Sequence, residues 1–155
     1  MSKLNDSIST TSVFTATRAI QELFKTALQA RDNSYSPYST CKVGAAIKTS
    51  DGKIYSGCNV ENASYGGSIC AERSAVVKAV SDQGAIKIKE VMVVTDASPP
   101  WPPCGMCLQV LAEFTSDTII YLTNLKGELT TVTFQELFPQ AFTGAHLGAR
   151  QEVLS

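Results

Sequence analysis

Five side chains capable of chemistry stand in two short stretches of this sequence. In GSICAERSA, the thiol of Cys70 precedes the carboxylate of Glu72 and the guanidinium of Arg73. In PCGMC, the thiols of Cys104 and Cys107 are three residues apart. Residues at that spacing share one face of a helix, so both sulfurs can point at the same spot. These groups suit metal binding, thiol chemistry and proton transfer.

The CxxC pair leaves three interpretations open. A dithiol at a helix start after a buried strand is typical of thioredoxin-like redox sites, and the nearby Trp101 fits that picture. A zinc site or a merely buried pair explains the same residues. Cys70, at another predicted helix start, would supply the third protein ligand of a catalytic zinc whose fourth position is open to water. Cys58 could instead complete a structural four-thiolate site, although its context, SGCNV, is more typical of a small buried residue, as is that of Cys41.

Glu72 and Arg73 would have linked roles in a catalytic site. A carboxylate beside the metal, but not bound to it, can take a proton from water and deliver it to an amidine-like substrate. Three thiolates give a zinc site a net negative charge, which a guanidinium hydrogen-bonded to a thiolate sulfur would offset. The alternative is that both side chains are solvated on a helix surface, the usual environment of Glu.

The hydrophobic pattern predicts alternating helices and strands that would position these groups. A first helix ends near Arg31, and VGAAIKT and IYSGCNV form a hairpin. A second helix has Ser68 as its cap and stops near Gly84. Then follow strand IKEVMVVTDA, helix CGMCLQVLAEF, strand TIIYLT, a short edge strand in LKGELTT, and a helix with a capping box of Thr133 and Glu136. This order favours a single α/β domain with helices on the faces of a sheet.

Composition excludes several classes of protein. Thirteen basic and fourteen acidic residues, without a basic run, give little reason to expect binding to nucleic acid or to an anionic membrane. No apolar run approaches the roughly 18 residues of a transmembrane helix. The polar start, MSKLNDSISTTS, lacks the apolar region of a secretory signal, which favours a cytoplasmic protein, and five cysteines are a poor basis for a disulfide framework.

The single histidine also limits the chemistry. His146 lies in a Gly-rich segment, TGAHLGAR, where a solvated surface position is expected. Because there is no other histidine, the general acid or base is expected to be a carboxylate.

Three ordered motifs, NVENASY, CAERSA and PCGMC, together resemble cytidine deaminase of the small, homotetrameric type with a three-cysteine zinc site. The resemblance extends from about Tyr35 to Phe142. It implies an α/β fold: a three-layer α/β/α sandwich with a mixed central sheet of about five strands. The expected catalytic domain covers residues 13–143, between a flexible N-terminal tail at 1–12 and a C-terminal tail at 144–155.

The resemblance implies a zinc-dependent hydrolase of pyrimidine salvage, which converts cytidine and 2'-deoxycytidine to the uridines and ammonia. One zinc ion per subunit would be bound by Cys70, Cys104 and Cys107. Glu72 would shuttle the proton, and Arg73 would interact with the zinc-binding thiolates.

The substrate contacts follow from the same resemblance. Asn59 and Glu61 match the residues that hold the ribose hydroxyls, and the backbone of Ala71 matches a contact to the pyrimidine. Tyr65 and Phe142 match aromatic residues that line the site, partly from a neighbouring subunit, with Phe142 stacking on the base. The expected partners are a small nucleoside and further copies of this chain in a homotetramer, with no nucleic acid and no membrane.

The chain departs from the family pattern at three places. Cys41 stands where relatives usually have Phe, and Leu108 replaces an arginine that many have after the last zinc cysteine, so that Arg73 would compensate charge alone. The C-terminal FGP of relatives reads Phe142, Thr143 and Gly144 here, which bears on the placement of Phe142.

Three other functions are to be weighed against a nucleoside deaminase. An editor of RNA or single-stranded DNA would need a basic track with stacking aromatic residues, which the charge count does not show. A nucleoside antibiotic is an alternative substrate for the same zinc motif. A noncatalytic zinc or dithiol module is the alternative from another class.

Overall fold

The computed structural model of the protein describes residues 10–148, so the outer parts of the predicted tails, 1–9 and 149–155, lie outside the described residues. The strands and helices in chain order are β1 (Thr10–Ser12), α1 (Arg18–Asp32), β2 (Gly44–Thr49), β3 (Ile54–Cys58), α2 (Ala71–Gln83), β4 (Ile88–Thr95), α3 (Gly105–Ala112), β5 (Thr115–Asn124), β6 (Glu128–Thr133) and α4 (Phe134–Leu137). Short 3-10 helices cover Val13–Thr15, Tyr65–Gly67 and Gly144–Leu147. No helix among these elements is long and apolar enough to cross a membrane.

The central sheet is mixed and has six strands in the order β1-β6-β5-β4-β2-β3. Only β4 and β5 are parallel neighbours; the other pairs are antiparallel. One strand more than the predicted five is present, because β1 pairs with Glu128–Thr130 of β6. β6 is therefore not the edge strand that its sequence suggested. Three polar residues carry no alternating pattern, so β1, in the predicted tail, could not be recognised from local sequence.

Helices cover both faces of the sheet, which confirms the α/β/α sandwich. Successive residues of β4 point to opposite faces: Met92 packs in one buried cluster with Leu23 and Phe24 of the α1 layer. Val91 and Val93 pack in the other cluster, which includes side chains of α2, α3 and α4. The strand therefore consists of consecutive apolar residues, since neither of its faces is exposed to water.

The end of α2 and the start of α4 lie where the sequence predicts them, whereas the start of α2 does not. Gly84 ends α2 with a φ of 75°, a conformation that favours glycine, and Thr133 and Glu136 form the predicted capping box of α4. The predicted cap of α2 at Ser68 is wrong. Ser68 terminates the preceding 3-10 helix, and Cys70 occupies the N-cap position of α2.

The directions of the strands bring the starts of α2 and α3 to one edge of the sheet. β3 and β4 both run antiparallel to β2, so their carboxyl ends lie at the same edge. The chain enters α2 after β3 and α3 after β4, with Cys70 and Cys104 as the respective N-cap residues. Cysteines 34 residues apart in sequence are thereby placed at neighbouring helix ends.

The position of α2 depends on a glycine in β3. A Cβ atom added to Gly57 would lie 2.5 Å from the amide nitrogen of Ala75 and 2.6 Å from the carbonyl oxygen of Ala71. Both contacts are to helix backbone, which cannot move aside as a flexible side chain would. Gly57 therefore lets the first turns of α2, which follow Cys70, pack directly against the sheet.

Gly57→Ala is expected to push α2 away from β3 and to lower the free energy of unfolding by about 2–3 kcal/mol, at the upper end of overpacking costs. The variant should also lose bound zinc more readily than the unchanged protein, because Cys70 moves with the helix. Thermal unfolding and metal analysis measure the two effects. Gly66→Ala is the matched control, because its added Cβ would meet nothing within 4 Å; equal stability of the two variants would contradict this account.

Candidate active site

The thiols of Cys70, Cys104 and Cys107 form one cluster at the edge where α2 and α3 begin. Their sulfur atoms all lie within 4.8 Å of one another. The distance is 3.8 Å between the sulfurs of Cys70 and Cys104 and 3.6 Å between those of Cys104 and Cys107. All three are free thiols. Cys58 does not belong to the cluster; it lies at the end of β3, beside a different cavity that Lys78 also lines.

This donor set fits zinc. A tetrahedral zinc with Zn–S bonds of about 2.3 Å requires sulfur atoms about 3.8 Å apart, which is close to the observed separations. Three protein ligands leave one tetrahedral position for water or substrate, as in catalytic rather than structural sites. Among residues 10–148, no other group of His, Cys, Asp and Glu side chains forms a comparable cluster of three.

The electrostatics of the cluster favour a thiolate at Cys70. A hydrogen bond from the thiol of Cys107, together with the guanidinium of Arg73, lowers the pKa of Cys70 to about 5 against the opposing effect of burial. Donation to Cys70 and burial raise the pKa of Cys107. At neutral pH Cys70 is therefore the thiolate of the cluster, the form in which cysteine binds metals.

Arg73 is held against the cluster rather than solvated. Its Nη2 atom donates to the sulfur of Cys70 at 3.7 Å and to the backbone carbonyl of Ser68 at 3.0 Å. Burial by itself would lower the pKa of Arg73, but the contacts with Cys70 and Cys107 together outweigh it and raise that pKa. The alternative of an ordinary surface arginine is therefore wrong for this residue.

Glu72 is also not a solvated helix residue, because only 4% of it is exposed. It lies in the first turn of α2, two residues after Cys70. Burial raises the pKa of Glu72, and the negative charge of Cys70 adds to the rise, while the charge of Arg73 acts in the other direction. A buried carboxyl group with a raised pKa beside a metal-binding cluster is suited to carrying protons.

A cavity of about 410 Å³ leads to the cluster at Cys70. Asn59, Glu61 and Tyr65 line it, as predicted for substrate contacts, and so do Tyr38, Ser39, Ser68 and Ile69. The segment that carries Asn59 and Glu61 is joined to the approach to α2 by paired backbone hydrogen bonds between Val60 and Ile69, at 2.9 and 3.0 Å.

The loop before β2 holds Glu61, an arrangement that the sequence motifs did not predict. The carboxylate accepts hydrogen bonds from the amides of Tyr38 at 2.9 Å and Ser39 at 3.2 Å, and from the Ser39 hydroxyl. Chiefly through the Ser39 hydroxyl, these bonds lower the pKa of Glu61. The turn sequence SYSPYST, rich in hydroxyl groups, is the one sequence feature that could have indicated a partner for this carboxylate.

Asn59 is bonded to the same loop. Its Oδ1 atom accepts from the amide of Val43 at 2.9 Å and from the hydroxyl of Ser34, and its Nδ2 atom donates to the carbonyl of Cys41 at 2.9 Å. One N–H of the side-chain amide remains for a ligand. Cys41 itself is exposed, so the expectation that it is a small buried residue is wrong.

The other predicted substrate contacts lie in different surroundings. Ala71 is the buried first residue of α2, where the backbone N–H has no intrahelical acceptor. Tyr65 is 77% exposed and packs edge-on against Tyr38, with ring centroids 6.1 Å apart. Phe142 is exposed and is not among the residues that line the cavity within a single chain.

Comparison with known proteins agrees with this geometry. Residues 17–123 match the family model for the cytidine and deoxycytidylate deaminase zinc-binding region. The chain belongs to the cytidine deaminase family. A cytidine deaminase from Halalkalibacterium halodurans is 49% identical over 124 residues, which cover 79% of this chain and 93% of the relative. One from Sporosarcina psychrophila is 45% identical over 134 residues, with coverage of 86% and 98%.

The fold leads to the same family. The crystal structure of a cytidine deaminase from Burkholderia pseudomallei superposes with a TM-score of 0.76 at 40% identity, covering 82% of this chain and all of that one. Membership in the cytidine deaminase family confirms the prediction of a zinc-dependent hydrolytic deaminase. It also argues against a dithiol redox module built on Cys104 and Cys107. The cysteine cluster fits the family's zinc, one ion per subunit.

Leu108 directly follows Cys107 of the cluster in α3. It is 8% exposed and packs in the core cluster on the α2, α3 and α4 face of the sheet. An apolar side chain at this position offers no charge to the thiolates. Among the contacts described for the cluster, the cation is Arg73.

Arg73→Gln is expected to weaken zinc retention by about tenfold or more, the range seen when outer-shell partners of metal ligands are changed. The glutamine keeps a polar group but removes the charge next to Cys70. Competition with a chelator, followed by metal analysis, measures the effect. Lys78→Gln, which removes an exposed charge from the same helix, is the control, and unchanged zinc affinity in the Arg73 variant would refute its role.

Proposed function

We propose that this chain hydrolyses the exocyclic amine of cytidine and 2'-deoxycytidine, giving the corresponding uridines and ammonia in pyrimidine salvage. The observation that carries the proposal is the buried Glu72 beside the thiols of Cys70, Cys104 and Cys107. The substrates named for the relatives point to the same reaction.

Glu72 moves the protons of this reaction. When bound, zinc lowers the pKa of a coordinated water from about 15.7 to about 7. The Glu72 carboxylate takes a proton from water and passes it to N3 of the cytosine ring. Because protonation of N3 makes C4 more electrophilic, the oxygen of that water can form the new bond to C4. The same carboxyl group then carries the second proton to the departing amine, so that cytidine and water give uridine and ammonia. Burial raises the pKa of the Glu72 carboxyl group and so stabilises the protonated form that returns the proton to the substrate.

Glu72→Gln is expected to lower kcat by about 10²- to 10⁴-fold, the usual contribution of a general acid–base group, because the amide cannot accept and return the proton. Zinc content should be unchanged, since the side chain is not a proposed ligand. Glu113→Gln, at the exposed end of α3, is the control. Near-normal turnover of the Glu72 variant with zinc bound would show that another group transfers the proton.

The cavity favours a free nucleoside over a nucleotide. Asn59 has one amide N–H left, and the oxygens of Glu61 can accept further hydrogen bonds beyond those from Tyr38 and Ser39, so the two residues together suit the hydroxyls of a ribose. None of the described residues that line the cavity is Lys or Arg, and the acidic groups among them include Glu61, whose pKa is lowered, and the thiol of Cys70. A 5'-phosphate would therefore meet a carboxylate without a compensating cation.

The test measures ammonia release from cytidine, deoxycytidine, their 5'-monophosphates, free cytosine, a cytosine-containing nucleoside antibiotic and a cytosine oligonucleotide. We expect release to be confined to nucleosides. We expect kcat/KM for the monophosphates to be lower by at least about tenfold, the effect of 1.4 kcal/mol of charge repulsion. Preference for the oligonucleotide would indicate an editing enzyme, and preference for the antibiotic a resistance enzyme; either would overturn the proposal.

The proposal includes a cytoplasmic homotetramer in which subunits share their sites. Its support is the exposure of aromatic side chains at and near the cavity mouth, with Tyr65 77% and Tyr38 50% exposed. Phe142 is 54% exposed outside the cavity of its own chain, where it is available to a neighbouring copy. A monomeric mass in light scattering would contradict this part of the proposal.

A further inference from the structure

The C-terminal segment of the described chain holds Phe142 in a way that the family resemblance did not imply. This chain reads Phe142, Thr143 and Gly144, and no proline follows the aromatic residue in this segment. Two other side chains contact Phe142: Gln109 from α3 and His146 from the following 3-10 helix.

Gln109 connects the backbone of Phe142 to the helix that carries two of the cysteines. Its Nε2 atom donates to the carbonyl oxygen of Phe142 at 2.7 Å, across 33 residues of sequence. Gln109 lies two residues after Cys107, in an eight-residue helix whose start is part of the cysteine cluster. The position of the Phe142 backbone is therefore fixed relative to the metal-binding end of α3.

His146 fixes the ring of Phe142. The two rings stack with centroids 5.2 Å apart and an interplanar angle of 22°. The imidazole is itself held, because its Nδ1 atom accepts the N–H of Thr143 at 3.1 Å and lies 3.1 Å from the Thr143 hydroxyl. The backbone N–H of His146 also donates to the Thr143 carbonyl, at 3.0 Å. His146 is thus exposed, as expected from the sequence, and in addition its ring is held by Thr143 and stacked on Phe142.

One face of the Phe142 ring is consequently covered by the imidazole of His146, while the residue as a whole remains 54% exposed. A ring held in this manner can stack on a planar base with little further loss of rotamer freedom. We propose that Gln109 and His146 are positioning residues that preset Phe142 for stacking on the cytosine ring. The inference rests on the proposed function, since it assumes the predicted stacking role of Phe142.

The test compares steady-state constants of the full-length zinc protein. His146→Ala is expected to raise KM for cytidine about three- to tenfold, the range of an aromatic pair contribution, with kcat and zinc content unchanged. Gln109→Leu should act in the same direction. His146→Phe should restore most of the lost affinity, because it returns a ring to the stack. Leu147→Ala, at the exposed neighbour of His146, is the control and should leave KM unchanged.

A double-mutant cycle separates this inference from the function on which it rests. If His146 acts through Phe142, His146→Ala adds no further increase in KM to a Phe142→Ala protein. The dissociation constant of the product uridine, from calorimetry, should follow the same pattern, and melting temperature and assembly mass verify folding. An unchanged KM in Phe142→Ala would refute base stacking by Phe142. A raised KM in that variant, with normal values for His146→Ala and Gln109→Leu, would refute the positioning role alone.

Discussion

The mutual distance of three sulfur atoms is the constraint on which the site depends. They lie within 4.8 Å of one another although they come from two helices that begin 34 residues apart. The sheet meets this requirement because β3 and β4 run in the same direction on either side of β2, so that both following helices start at one edge. Gly57 then determines how near α2 lies to the sheet. The cysteines need no long side chain to reach a metal, because the backbone brings them to it.

Bringing three cysteines to one point also brings their negative charges together when they are thiolates. Thiolates concentrated at one point repel one another, and the positive ends of α2 and α3 offset only part of that charge. Arg73 supplies a full positive charge against Cys70, while the apolar side chain of Leu108 packs in the core and supplies none. Glu72 is buried in the same surroundings, and this burial raises its pKa. Metal binding, charge balance and proton transfer are thus consequences of one crowded helix start.

The two residues proposed to bind the ribose also hold the loop before β2 in place. The side chains of Asn59 and Glu61 hold the loop before β2 through six hydrogen bonds, four to its backbone and two to its hydroxyl groups. Their substitution would change the shape of the cavity as well as remove contacts to a ribose, so a loss of activity in such variants would not separate the two effects. A substitution of Ser39 is more selective, because it removes a hydroxyl that donates to Glu61 but leaves the Glu61 carboxylate in place to contact a ribose.

The sequence by itself determined the elements whose causes are local. A run of β-branched apolar residues marked the buried strand β4, Gly84 marked the end of α2, and the pairing of Thr133 with Glu136 marked a helix start. The spacing of PCGMC placed two sulfurs on one face because that depends only on helical geometry. The second predicted helix start gave Cys70 as a candidate third ligand, and the family resemblance implied that the three cysteines bind zinc.

Only the tertiary structure decided the rest, because those features depend on contacts between distant segments. β1 exists through backbone pairing with β6, and Glu72 is buried by elements that its own helix does not specify. The partners of Glu61 lie 22 and 23 residues away, and Gln109 reaches Phe142 across 33. Local patterns report which residues tend to form a helix or a strand, whereas the three-dimensional packing determines which groups meet and how strongly their pKa values shift.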